Sequence, residues 1–293
     1  MRLATADGSK VRLYPDDVIA GVFGNRYATD AFEAEVRTLD DLHMLTDAGM
    51  VGTVRSRHRD VKPPTRLRFL GYLANDLNER LNLRMKLPSE FPVRSGPKNI
   101  LIVVGTGMNS GKTTTATKLV KALLRRGLRV AACKLTGSVC PRDRGEFSAT
   151  GVHHVSDFSD FGFPSTYLAS EEELVGLYQA MVADADKTEP DIVVMEIADG
   201  ILQRETQMLL SHEALRGRVG GIVLAATCAA SALYGVDRLQ RNGLTVVAVS
   251  GCITNAPLFL REFAAASPVP LASSTADCVE LAEMVGRHYR VLP

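Results

Sequence analysis

Residues 99–127 read NILIVVGTGMNSGKTTTATKLVKALLRRG, and no other stretch restricts the possible folds so tightly. Asn99–Val104 is a continuous apolar run, short enough for a strand buried on both faces. A loop of small residues follows, and from Lys112 the pattern turns helical. A strand passing through a glycine-rich turn into a helix is the context in which a Gly-Lys-Thr triplet carries phosphate chemistry. Glycines let the backbone curl so that its N–H groups converge on phosphate oxygens, and the helix N-terminus adds partial positive charge. Gly107, Met108, Asn109, Ser110, Gly111, Lys112, Thr113 and Thr114 are therefore the expected nucleotide-binding residues. Lys112 is placed to reach the outer phosphates and Thr113 to offer its hydroxyl to Mg²⁺. The strict form of the loop wants glycine where Thr106 stands.

The rest of the C-terminal two-thirds repeats one rhythm. Apolar runs at Val130–Lys134, Asp191–Glu196, Gly221–Ala226, Leu244–Ser250 and Val269–Ala272 alternate with helical patterns. The helices are expected near Lys112–Arg125, Glu171–Ala185, Ser231–Arg241, Pro257–Ala265 and Ala276–Tyr289. This alternation predicts a three-layer α/β domain with a mostly parallel sheet. Pro88–Lys98 interrupts every periodic pattern, which puts a boundary near residue 95 and divides the chain into 1–95 and 96–293. Before it, Lys10–Leu13, Val18–Phe23, Met50–Val54 and Leu67–Leu73 read as short strands without a βαβ rhythm, hence a small β-rich module. The tract from Arg55 to Arg68 holds six basic residues against Asp60; a solvated strand edge, an anion contact and a nucleic-acid contact all stay open.

Charge narrows the partners. With 34 basic and 33 acidic residues the net charge is +1, so a dedicated nucleic-acid binder is not expected. Five cysteines with no C-x-x-C spacing speak for neither a disulfide framework nor structural zinc, and fit a reducing cytoplasm. The N-terminal residues have no apolar core of the kind a secretory signal needs. Val219–Val236 carries no charge, yet its Gly, Ala, Ser and Thr content reads as strand, turn and helix start rather than a membrane span.

Gly105-Thr106-Gly107-Met108-Asn109-Ser110-Gly111-Lys112-Thr113 resembles the G-T-D-T-x-x-G-K-T loop of dethiobiotin synthetases, which also carries threonine at the departing position. Lys134-Leu135-Thr136-Gly137 is similar to that family's K-P-V-x-[ST]-G, and Asp191–Glu196 resembles its strand ending in E-G-A-G-G. Gly107 in place of the loop's Asp and the continuation Ile197-Ala198-Asp199-Gly200 depart from the pattern, and residues 1–95 have no counterpart. The resemblance covers residues 99–293 and extends to the superfamily, not to the biotin pathway. It implies Mg²⁺ binding by Glu196, with Asp157 or Asp160 as a further ligand, and adenine contact by Asn255. No [NT]-K-x-D guanine tetrad occurs, and Thr106 stands where partition-type ATPases carry a signature lysine, so ATP is the expected nucleotide.

Lys112, Lys134, Glu196 and Asp199 are the expected catalytic residues, because all lie at or just beyond strand carboxyl ends, where ligands of open α/β sheets bind. The stretch Ser138–Tyr167, rich in acids and hydroxyls, is expected to be a functional loop. The expectation drawn together is an ATP-dependent ligase or kinase-like enzyme that phosphorylates a carboxylate or carbamate of a small, anionic molecule. A nucleotide-driven switch or accessory NTPase is the alternative, and a homodimer stays open.

Overall fold

The computed structural model describes residues 2–5, 9–84, 99–273 and 277–291. The expected boundary at Pro88–Lys98 falls outside the described residues. The chain forms two compact units. One takes residues 1–86 together with Gly137–Arg142 and Phe158–Leu168; the other takes the remainder.

The first unit is β-rich, as expected, with more strands than expected; most are shorter, but β6 is longer. A hairpin pairs β1 (Arg2–Ala4) with β2 (Lys10–Arg12). A five-stranded sheet holds β3 (Val22–Phe23), β4 (Phe32–Glu35), β5 (Leu42–Met44), β6 (Met50–Arg57) and β7 (Thr65–Leu67). Its order is β3-β6-β5-β7, with β4 antiparallel to β6. Ala34, Leu45 and Met50 form a small core, joined by Val22, Val54 and Val139. Val139 belongs to one of the two excursions that the later chain contributes to this unit. The basic tract runs from the exposed end of β6 through the loop after it and β7; in the loop Arg59 meets Asp60 at 3.5 Å, and Arg57 donates to the Val61 carbonyl. The Leu67–Leu73 strand is a correction: β7 ends at Leu67, and the chain beyond leaves the sheet.

The second unit is a six-stranded, all-parallel sheet of order β10-β9-β11-β8-β12-β13. Its strands are β8 (Ile100–Gly105), β9 (Val130–Lys134), β10 (His154–Asp157), β11 (Ile192–Glu196), β12 (Val219–Ala225) and β13 (Val246–Ser250). The helices are α1 (Lys112–Leu124), α2 (Pro141–Ser148), α3 (Glu171–Asp186), α4 (Arg204–Ser211), α5 (Glu213–Arg218), α6 (Ala229–Arg241), α7 (Pro257–Ala266) and α8 (Val279–Tyr289). Strand alternation sorts the core into two layers. Leu101, Val103, Val130 and Val194 face α1 and α8 through Leu119, Leu123, Leu281 and Val285. On the opposite face Gly235 brings α6 down onto Leu224. The fold is that of a P-loop NTPase α/β domain, preceded by the β-rich module.

Two expectations fail locally. Val269–Ala272 adds no strand; Leu271 makes a single bridge to Val249. The stretch from Ser138 to Tyr167 is not one long loop, since it contains α2 and the edge strand β10. The uncharged stretch at 219–236 is β12 and the start of α6, and no described helix is long and apolar enough to cross a membrane.

Candidate nucleotide site

The turn from β8 into α1 has the geometry its glycines permit. Gly111 caps α1 at φ 94°, a left-handed conformation costly to any residue with a Cβ. A Cβ there would also stand 3.1 Å from the Gly251 Cα, because the turn after β13 closes against the loop. The Cys252 N–H donates to the Ser110 carbonyl at 3.0 Å and the Cys252 thiol to the Asn109 carbonyl at 3.3 Å. No acid and no side-chain cap occupies the first turn of α1, so its N–H groups and dipole remain directed at the loop.

Lys112 lies buried over this loop and donates from Nζ to the Gly107 carbonyl at 2.8 Å. Burial lowers its pKa, opposed mainly by the charge of Glu196 and then of Asp199. A desolvated ammonium folded back on a backbone carbonyl gains by exchanging that partner for an anionic oxygen.

Glu196 ends β11 beside it, 1% exposed in spite of its charge. Its Oε1 accepts from the Thr113 hydroxyl at 3.0 Å, while Oε2 is buried without a hydrogen-bond partner. A bare carboxylate oxygen next to a threonine hydroxyl is the donor set that Mg²⁺ takes when phosphate and water oxygens complete its shell. The residues present therefore fit that ion through Thr113 and Glu196. Among the described residues no group of three or more His, Cys, Asp or Glu is arranged to hold a metal.

Lys134, at the end of β9, is nearly fully buried. Its Nζ is bound to the Asp143 carboxylate and lies 3.7 Å from Glu196 Oε1. Burial alone would lower its pKa, but Glu196 and Asp143 together hold the amine protonated well above the ordinary lysine range. Asp157 is buried at the end of β10 in register with Lys134. Two strand spacings, about 10 Å, separate β10 from β11, so the strand order places Asp157 with Lys134 rather than with Thr113. Asp199 lies half-buried in the turn after β11, near enough to Lys112 to act on its charge. That turn is tied down by hydroxyls of Thr136 and Thr206 donating to the Ala198 carbonyl at 2.6 and 3.1 Å. Asn255 ends the 3-10 turn Cys252–Asn255 and is exposed; the turn is held by the Ile253 N–H donating to the Ala226 carbonyl.

The structure thus brings Lys112, Thr113, Lys134, Glu196 and Asp199 to one end of the sheet. Asp143 is the residue whose part sequence reasoning did not assign. A start signal for its helix was present, a proline at the first helical position and an acid in the first turn, but it lay inside the supposed loop.

Fold and site define the class: a P-loop NTPase. Comparison with known protein families and with curated proteins finds no match. Among solved structures, the signal recognition particle receptor FtsY from Elizabethkingia anophelis is 15% identical, covering 71% of this chain and 69% of that one at a TM-score of 0.43. The signal recognition particle 54 kDa protein from Aeropyrum pernix K1, in complex with GDP, is 17% identical, covering 69% of this chain and 49% of that one at 0.42. FtsY from Mycoplasma mycoides is 12% identical, covering 67% and 69% at 0.38. These are distant likenesses of fold.

Two expectations are corrected. The dethiobiotin synthetase type finds no support among these titles, and neither does an ATP-dependent ligase or kinase-like enzyme with a small anionic molecule as its partner. The site agrees. Lys134, expected to meet the acceptor, is enclosed by Asp143 and Glu196.

Proposed function

We propose that this chain is a nucleotide-driven switch, in which the P-loop domain converts the number of bound phosphates into the state of the segment after β9. One observation carries this reading: the buried Lys134 amine, within reach of Glu196, is held by Asp143 in the first turn of α2. Lys134 exchanges Asp143 for a phosphate oxygen when a triphosphate fills the loop, since one ammonium favours the higher anionic charge. Asp143 then loses its buried partner, and α2 loses the tie at its first turn. The chain between Thr136 and Asp143 is Gly137–Arg142, which belongs to the β-rich unit, so the change reaches that unit along the backbone itself.

Thr113 and Glu196 would hold Mg²⁺ in this reading, and the ion would supply charge neutralisation for the phosphates. Lys112 orients the outer phosphates. The base is the finer question: two of the distant neighbours are titled as GDP complexes, whereas the missing [NT]-K-x-D tetrad leaves this sequence without the usual guanine reader. Calorimetric titration with ATP and GTP in Mg²⁺ buffer tests binding and base together. The sequence expects ATP to bind at least tenfold tighter, about 1.4 kcal/mol. Lys112→Ala should remove triphosphate binding while circular dichroism stays unchanged. A folded Lys112→Ala protein that binds as well as the parent would dismiss the site.

A further inference from the structure

Beyond β7 every residue from Leu70 to Arg84 is exposed, and six of them are large and apolar: Leu70, Tyr72, Leu73, Leu77, Leu81 and Leu83. Leu77 reaches 77% exposure and Leu70 and Leu83 about as much as each other, 65% and 66%. Scattered surface leucines need no explanation, but six within fourteen positions of one segment do.

The segment has a defined shape. Ala74 bridges Arg80, and the Leu81 N–H donates to the Leu73 carbonyl at 2.9 Å, which makes a short hairpin arm. Asn75 fixes the tip: its Oδ1 accepts from the N–H groups of Leu77 and Glu79, and its Nδ2 donates to the Glu79 carboxylate at 2.8 Å. Both roots are anchored within the same unit. Phe69 and Tyr72 cluster with Phe23 at ring distances of 5.0 to 6.2 Å, and the Arg84 guanidinium lies 4.5 Å over the Phe163 ring. Gly162, at φ 80°, leaves room for the Leu83 carbonyl, which a Cβ would approach to 1.8 Å.

We infer that this arm is a homodimerisation element, covered by the same arm of a second copy of the chain. Six such side chains offer on the order of 600 Å² per copy, so two arms reach about 1,200 Å², the lower bound of a specific interface. A two-fold contact joins one patch to itself, and this patch carries no net charge to oppose that. Asp76 and Glu79 are matched in number by Arg80 and Arg84. A lipid surface fits less well, because the tip of the arm carries Asn75, Asp76, Asn78 and Glu79, and an anionic bilayer would meet those two acids first. The inference is independent of the nucleotide site.

Sedimentation equilibrium of the full chain at about 1 to 100 µM, bracketing a micromolar Kd, tests it. The parent's average mass should rise towards twice the chain mass across this range. Leu73→Asp and Leu77→Asp should each raise the dimer Kd at least 100-fold, while melting temperature at monomeric dilution and nucleotide binding stay unchanged. Leu77→Met should keep the dimer. A parent that is monomeric throughout overturns the inference, as does a dimer indifferent to both Asp variants. Flotation with mixed phosphatidylcholine and phosphatidylserine vesicles is run alongside; leucine-dependent flotation of a monomeric parent would assign the arm to lipid instead.

Discussion

Lys134 shows how a sequence can place a side chain without naming its partner. Its position at a strand end follows from the apolar run before it, but its partner Asp143 comes from a helix nine residues on. Because Asp143 and Glu196 raise its pKa in the folded state, its pairing adds stability that is fully present below the unfolded value, about 10.4, and is lost as pH rises through the folded one. Removing it takes this cation away from the buried Glu196 and the half-buried Asp143. Lys134→Met should therefore cost about 3–5 kcal/mol in urea unfolding, and the difference from the parent should stay flat between about pH 7 and 9. A gap that closes within that window would show that Lys134 is not held charged. The cysteines give a second measurement. The Ser231 hydroxyl at the Cys228 thiol, with backbone N–H groups at the start of α6, lowers the Cys228 pKa. Burial pushes Cys133 up to about 12 and Cys278 up to about 11. Limited alkylation near neutral pH, followed by mass spectrometry, should find Cys228 modified well before either, since the thiolate is the nucleophile. Equal labelling would contradict this order.

At the scale of elements, the turn between β8 and α1 is the piece that local rules specify most fully. A six-residue apolar strand, a left-handed Gly111 and a helix without acids in its first turn are each legible in the residues. Gly111→Ala should cost about 1–2 kcal/mol from the left-handed backbone alone, with a further strain where its Cβ meets Gly251. Because both penalties fall on the loop, triphosphate affinity should drop at least tenfold in calorimetry while the sheet stays folded. Unchanged affinity would mean that the loop adjusts freely. The elements that escaped notice are those that periodicity cannot mark. α2 is eight residues long and polar, so it has no apolar stripe to announce it. β10 is four residues long and lies at the edge of the sheet, with only two of its residues buried, so its run of apolar residues is too short to be seen.

For the whole molecule, the switch reading makes a prediction about hydrogen exchange. Amides of residues 137–148 should exchange at different rates with a non-hydrolysable Mg-triphosphate and with Mg-diphosphate bound, because only the outer phosphate competes for Lys134. Identical exchange in the two states would remove the relay and leave a binding module. The sequence by itself determined the parallel α/β architecture of the second unit and the P-loop, because both rest on local chemistry: strands buried on two faces are apolar throughout, and a phosphate cradle needs glycine, lysine and threonine at fixed offsets. Tertiary structure alone decided that Gly137–Arg142 and Phe158–Leu168 complete the β-rich unit, and that Asp143 closes on Lys134. It also left Leu70–Arg84 uncovered. These bring separate elements together, some from distant parts of the chain, or concern what a surface faces. Pairing across such distances is selected by the summed burial and charge of the folded chain, which no window of neighbouring residues contains.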